Sequence, residues 1–369
     1  MSTTNFKDIF SLLIIIFILS QNFLYGHSFK PEPRGGHMAT LVKDKIYFMG
    51  GSRPIPKDSP AWNLTHQYNL SDEVFYLDLS KSFTVDLPPF TDLSANSRMP
   101  FGSEKGTTVL GDNGQRIYLV GGEQQNMTTF NYNASDSILW IYSINSQKWS
   151  TSGPGTQGTI LPRRRSTATV IDSKNVIYIF GGRVELDMGS NVFTIFDDFF
   201  TFDTNTLLWT NLSYTNHPSK RSHCSATLMP DGTIIYIGGV TQTNPGENST
   251  RVLMTDINVF DTIQLSWSFK TANSSSSVNI DPRVGHTAVL APDNHTIVIL
   301  GGTQSYGLDQ TTSYPVFVLL DVRSFQYSSF DPSGPAPPPL SFHTATRYQN
   351  YMIVAFGKRI SKNDNSENN

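Results

Sequence analysis

The sequence predicts an all-β protein of six repeated units, each a four-stranded antiparallel sheet set radially, with the last unit incomplete. Five Gly-Gly pairs carry this reading: Gly50-Gly51, Gly121-Gly122, Gly181-Gly182, Gly238-Gly239 and Gly301-Gly302, with Gly357 as a sixth echo. Their successive steps of 71, 60, 57, 63 and 56 residues mark an array whose units cannot bury their apolar faces alone. Each pair also lies between two strand signals, one upstream with small residues and one downstream ending near an acid.

The strand that each pair closes is apolar without alternation, as in Ile46-Tyr47-Phe48-Met49, Ile117-Tyr118-Leu119-Val120 and Ile353-Val354-Ala355-Phe356. Short, β-branched and aromatic, these runs predict strands buried on both faces. Upstream, Ala39, Ala168, Ser225, Ala288 and Ala345 are read as in phase, which suits an innermost strand where radial sheets converge. In the second unit Lys105 and Gly106 compete for that slot. Downstream, an Asp ends a third strand and an aromatic follows six positions later: Asp203 and Trp209, Asp261 and Trp267, Asp321 and Tyr327. The acid suits a tight turn and the aromatic fills the space between sheets. Ser143 and Trp149 keep the spacing, whereas Asp78 leads to Thr84 with Phe83 beside it.

These residues, with openings such as Arg34 to His37, Arg221 to His223 and Arg283 to His286, resemble the kelch repeat over residues 34–357. The resemblance implies a kelch-type β-propeller, with blades at roughly 34–90, 98–152, 160–212, 217–270, 280–332 and an incomplete one at 338–357. The recurring His37, His223, His286 and His343 are read as scaffold, and Ser166 as the residue standing where blade three should have His. Cys224, the one cysteine, excludes an internal disulfide and is read as a buried structural thiol.

Residues 9–19 form an apolar run preceded by Lys7, too short for a bilayer span and suited to a secretory signal over residues 1–26. Secretion is therefore expected. Eight sequons, at Asn63, Asn69, Asn126, Asn133, Asn211, Asn248, Asn273 and Asn294, make a glycoprotein the matching expectation. A net charge of −3 with sparse charged residues gives no basis for nucleic-acid binding. The polar tail, 358–369, is expected to be disordered, which leaves the sixth unit without its outer strands. The expectation is a truncated version of a longer chain, a candidate for membrane anchoring that this sequence does not carry.

No catalytic residue, metal site or cofactor is assigned. The rival class is a secreted copper-radical oxidase of the galactose oxidase type. Its adjacent Tyr and His ligands have no counterpart here, the nearest dipeptide being Phe342-His343. Binding is placed instead on the loops at 52–72, 123–136, 183–198, 240–256 and 303–315, which strand alternation puts on one face. Arg163, Arg164, Arg165, Arg183 and Glu185 form the candidate contact patch for a protein or glycan partner.

Overall fold

A computed structural model describes residues 29–55, 68–131, 137–153, 155–185, 192–214, 216–274, 279–305 and 310–360. The expected signal segment lies outside them, as do Asn63 and Asn133. Regular structure is almost entirely strand, and no helix among the described residues is long and apolar enough to cross a membrane.

The fold is an all-β propeller with five complete blades. Blade one holds Met38–Val42, Lys45–Met49, Val74–Asp78 and Phe90–Asp92, and blade two Gly102–Gly111, Arg116–Gln125, Leu139–Ser143 and Lys148–Thr151. Blade three holds Ala168–Ile171, Val176–Phe180, Phe199–Asp203 and Leu208–Asn211. Ser225–Leu228, Thr233–Ile237, Asp256–Asp261 and Ser266–Thr271 make blade four; Thr287–Leu290, Thr296–Leu300, Phe317–Asp321 and Gln326–Ser329 make blade five. Each is a meander of four antiparallel strands, and Gln157–Gly158 and Asn273–Ser274 add short parallel edges to blades three and five. The sixth repeat contributes a two-stranded hairpin, Thr344–Tyr348 with Tyr351–Ala355.

Apolar side chains from facing sheets form the seams between blades. Tyr118, Ile141, Ile177, Phe202 and Trp209 fill the seam between blades two and three, and Ile235, Val259, Ile299, Leu320 and Tyr327 that between four and five. The aromatics six positions past each Asp thus pack on the preceding blade. The acids act as expected too: Asp203, Asp261 and Asp321 each accept from the backbone N–H two residues on, at 2.8 to 2.9 Å. Between the hairpin and blade one the filling is aromatic, with Phe29, Phe48, Phe75, Phe90 and Phe356 in mutual contact.

The glycine pairs explain the closure. In every pair both residues have positive φ, and in the sixth repeat Phe356 (φ 53°) and Gly357 (φ 95°) keep that geometry. The second residue donates its N–H to a carbonyl of the next repeat: Gly51 to Ser103, Gly122 to Arg164, Gly182 to Arg221, Gly239 to Arg283 and Gly302 to Leu340. Gly357 completes the circle by donating to Arg34 at 2.9 Å. A side chain has no room here, because a Cβ on Gly51 or Gly302 would lie about 3 Å from the Cβ of His37 or His286.

Two expectations need correction. The strand register makes the in-phase small residues Ala39, Thr169, Ala226, Ala288 and Ala345, one position later than Ala168 and Ser225 in blades three and four. The tail also stays ordered past Gly357, because Lys358–Arg359 pairs with Leu340–Ser341 and Ile360 is buried. The single apolar residue at 360 finds a place against the sheet, so the disorder expected from 358 does not begin there.

Candidate functional site at the axial mouth

At one register of each repeat, two residues before the start of the innermost strand or, in blade two, within the longer strand Gly102–Gly111, the chain takes a left-handed turn. The residues are Gly36 (φ 64°), Lys105 (56°), Ser166 (54°), His223 (58°), Gly285 (63°) and Phe342 (52°), one per repeat. Backbone bonds join five of the six neighbouring pairs around the axis: Lys105 N–H to Gly36, Ser166 to Lys105, His223 to Ser166, Phe342 to Gly285 and Gly36 to Phe342, at 2.7 to 3.1 Å. With closure carried by backbone, the side chain at each position is free to differ.

The next residue in each repeat behaves differently. His37, Thr167, Cys224, His286 and His343 share one register, with Gly106 in blade two. Three of them bridge to the preceding repeat through Nε2: His37 to the Thr344 hydroxyl at 2.8 Å, His286 to Ser225 at 3.1 Å and His343 to Thr287 at 2.9 Å. Burial drives His37 and His286 down to about 3 and His343 to about 4, so these rings are neutral struts.

His223 does not belong to that series. It sits one position earlier, in the ring, and the residue aligned with the struts is Cys224, whose thiol burial raises to about 11. The signal was present in the sequence as spacing: Arg to His is three residues at Arg34 and Arg283 but two at Arg221. In blade three the strut position is Thr167, and Ser166 is a ring residue.

Ring and struts together line an axial cavity of ≈ 170 Å³. At its mouth His223 Nε2 lies 2.9 Å from Ser166 Oγ and its Nδ1 lies 3.0 Å from Ser222 Oγ. Lys105 Nζ stands 5.7 Å from the Phe342 ring centre, and the Phe342 ring covers Gly285, where a Cβ would be 2.9 Å from it. Burial, then the charges of Arg183, Arg165 and Lys105, hold His223 well below the usual imidazole range. A neutral imidazole, a hydroxyl, an ammonium and a phenyl ring therefore converge on one rim.

Beside this rim an ion network joins blades two and three. Arg165 reaches Glu123 at 3.0 Å, Glu104 at 3.9 Å and Glu185, which also binds Arg183, while Lys105 pairs with Glu104 at 2.6 Å. Burial pushes the Glu185 carboxyl up, but Arg165 and Arg183 outweigh it and hold it below the ordinary glutamate range. Of the patch expected from sequence, the structure brings Arg165, Arg183 and Glu185 together, mostly buried. It separates Arg164, whose guanidinium binds the Gly181 carbonyl and Asp198 and stacks 3.8 Å over Phe196. Arg34 and Arg283 make the same bond to their own Gly50 and Gly301 carbonyls, so Arg164 is a repeated brace. Arg163 is half-exposed at the edge of the cluster.

The cavity lining contains no tyrosine, so the ligand set of a copper-radical centre does not fit it. Among the described residues no group of three or more His, Cys, Asp and Glu is placed to hold a metal ion.

The chain matches the family model of the Attractin/LZTR1 beta-propeller over residues 20–311 and 117–369. It is similar to Kelch domain-containing protein 3 of Rattus norvegicus, 26% identical over 63% of this chain and 55% of that protein. Acyl-CoA-binding domain-containing protein 4 of Arabidopsis thaliana is 23% identical over 70% of the chain and 35% of its own length. Kelch-like protein terF of Aspergillus terreus is 25% identical over 56% of the chain and 50% of its length. The chain thus spans about half or less of these relatives.

Proposed function

Because the chain belongs to the attractin/LZTR1 β-propeller family, we propose that it is a non-catalytic interaction module that docks a protein partner on the axial mouth and its surrounding loops. One observation carries the choice of face. At the ring the backbone does the closing, and four of the six positions nonetheless carry Lys105, Ser166, His223 and Phe342 rather than glycine. The loops between second and third strands rise on the same face, since their first residues pair with ring neighbours: Gly35 with Ser52, Arg165 with Arg183, Ser222 with Val240, Val284 with Thr303. Rigid scaffold with variable loops is the usual setting for recognition. The network of Arg165, Arg183 and Glu185 serves here as the preorganised floor of the contact, with Arg163 at its rim. A glycan is the alternative occupant of the same face.

We further read the hairpin as the first half of a sixth blade, and the mature chain as a secreted glycoprotein with its propeller at 27–357. Asn126, Asn211, Asn248, Asn273 and Asn294 are exposed, which supports glycan attachment there, whereas Asn69 is half-buried. The test of the binding face is a double variant, His223→Gly and Phe342→Gly, made to resemble Gly36 and Gly285. It is expected to keep its melting temperature and to lose the protein that native chain captures from the secretory medium. Undiminished capture would move the interface off the axis. N-terminal sequencing of secreted protein is expected to begin near His27; retention of Met1 without glycan would overturn the extracellular reading.

A further inference from the structure

Four repeats open with an arginine placed under its own glycine pair, and three of the four have acceptors. Arg34 bonds the Gly50 carbonyl at 3.0 Å and Glu73 at 2.6 Å. Arg164 bonds the Gly181 carbonyl and Asp198, and Arg283 bonds the carbonyls of Gly301, Tyr314 and Pro315 at 2.9 to 3.2 Å. Arg221 holds the same place, since its carbonyl accepts from Gly182 as that of Arg164 accepts from Gly122. Yet its side chain makes no hydrogen bond or ion pair among the described residues. The residue is 3% exposed, and Nε and Nη1 are enclosed without a partner.

The cause is two extra residues. In blades one and three the residue whose N–H bonds the second glycine's carbonyl, Ser71 or Phe196, is followed three positions later by the first apolar residue of the third strand, Val74 or Phe199, with the acid just before it. In blade four Val252 makes that bond and Ile257 comes five positions later. The added length closes a turn from Leu253 to Asp256 and carries Met254 into the seam with blade five. It leaves Asp256, the counterpart of Glu73 and Asp198, exposed and bonded by the Thr255 hydroxyl at 3.2 Å. A second donor is orphaned at the neighbouring register. Asn258 takes the third-strand position of Phe75, whose ring centre lies 4.8 Å from the Arg34 guanidinium, and its buried Nδ2 has no acceptor.

We propose that Arg221 is the centre of a carboxylate-binding site, filled from outside the chain as Glu73 and Asp198 fill the same place from within. A guanidinium stays charged at neutral pH, and a buried charge without a partner is costly, so the position calls for a counter-charge. Burial lowers Arg221 below the ordinary guanidinium value, and the charges of Cys224 and Asp256 offset this only in part. The sibling arginines define the ligand. Glu73 and Asp198 meet Nη2 at 2.6 and 3.1 Å, and their side chains are 16% and 29% exposed, so the place they occupy is reached from solvent. At Arg221 the enclosed nitrogens are Nε and Nη1, which leaves Nη2, the nitrogen those acids use, for an incoming group. A planar group with two oxygens matches that edge. The same chemistry comes on a free small acid or on the Asp or Glu side chain of a polypeptide. Arg221 adjoins Ser222, which pairs with Val240 on the proposed binding face, but the preference for a carboxylate holds whether or not that face docks a protein.

The test follows the melting temperature of the full chain as sodium acetate replaces sodium chloride at constant ionic strength. A saturable rise of about 2 °C is expected in the native chain and none in Arg221→Met. In chloride, Arg221→Met is expected to melt no lower than the native chain, because an uncompensated charge is removed, whereas Arg164→Met strands Asp198 and should melt about 5 °C lower. With the native chain alone, the fluorine NMR line of trifluoroacetate is expected to broaden and to sharpen again when acetate is added. Acetyl-Gly-Glu-Gly-amide acting at about a tenth of the acetate concentration, with its Gln counterpart inactive, assigns the site to an acidic side chain of a polypeptide; a peptide weaker than acetate assigns it to a free small acid. A shift by acetate that is equal in the native chain and Arg221→Met overturns the proposal. So does an Arg221→Met as costly as Arg164→Met, because Asp256 then pairs with Arg221 in solution.

Discussion

Two rings one residue apart teach opposite lessons. At Gly36, Lys105, Ser166, His223, Gly285 and Phe342 backbone bonds join five of the six neighbouring pairs, a side-chain bond is added only between Ser166 and His223, and the six side chains share no common chemistry. At the neighbouring register the bond between blades runs through a side chain, and His37, His286 and His343 repeat. Where the main chain carries the fold, residue identity is released for recognition; where a side chain carries it, identity is constrained. The boundary between scaffold and candidate site in this propeller is therefore one residue wide.

Acid gives the broadest way to test the constrained ring. His37, His286 and His343 are held at about 3 to 4, below the unfolded value of 6.5. A depressed value means that only the unfolded chain takes up protons between these limits. Stability is then fully present above about pH 6.5 and is lost as pH falls through about 4. Unfolding at about pH 5, between the folded and unfolded values, is expected to take up about three protons or more per molecule, and one fewer in His286→Gln. Uptake of less than one proton at that pH would mean that these rings are charged in the folded chain and the strut reading is wrong.

The glycine pairs give the largest single-residue effect. Gly301→Val places a Cβ against the Leu340 carbonyl in a backbone of φ 64°, with no flexible atom to yield, and is expected to cost more than about 4 kcal/mol in denaturant unfolding. Gly285→Ala has nearly the same φ but meets only the Phe342 ring, which can move, so about 1 to 2 kcal/mol is expected. Equal losses at the two sites would erase the distinction between constrained and released positions.

The arginines sharpen it further. Arg164→Ser removes a buried brace and strands Asp198, and is expected to cost about 3 kcal/mol, while Arg163→Ser should stay within about 0.5 kcal/mol. Here sequence reading stopped short for a physical reason. Arg163-Arg164-Arg165 looks like one basic run, but strand geometry sends neighbours to different places: a solvated edge, the brace under Gly181 and an ion network across the seam. The fold was legible because glycine pairs, apolar runs and Asp turns each report a local backbone demand. The ring was not, because its requirement is positive φ, which Lys105, Ser166, His223 and Phe342 meet without sharing any chemistry. Only the shortened spacing from Arg221 to His223 marked one of them.

The smallest expected effect is also the most discriminating. His223→Gly removes hydrogen bonds to Ser166 and Ser222, each worth about 1 kcal/mol net, but relieves a left-handed conformation that costs a non-glycine residue about 1 to 2 kcal/mol. These terms nearly offset, and glycine already occupies the equivalent places at 36 and 285. Unfolding free energy is therefore expected to change by less than about 1 kcal/mol, whereas His286→Gln, which gives up a strut bond with no strain to relieve, should lose about 1 to 2 kcal/mol. Partner capture should follow the reverse order, falling for His223→Gly and holding for His286→Gln. If His223→Gly is the less stable of the two, its imidazole is a strut like the others, and the axial rim loses its claim to be the binding face.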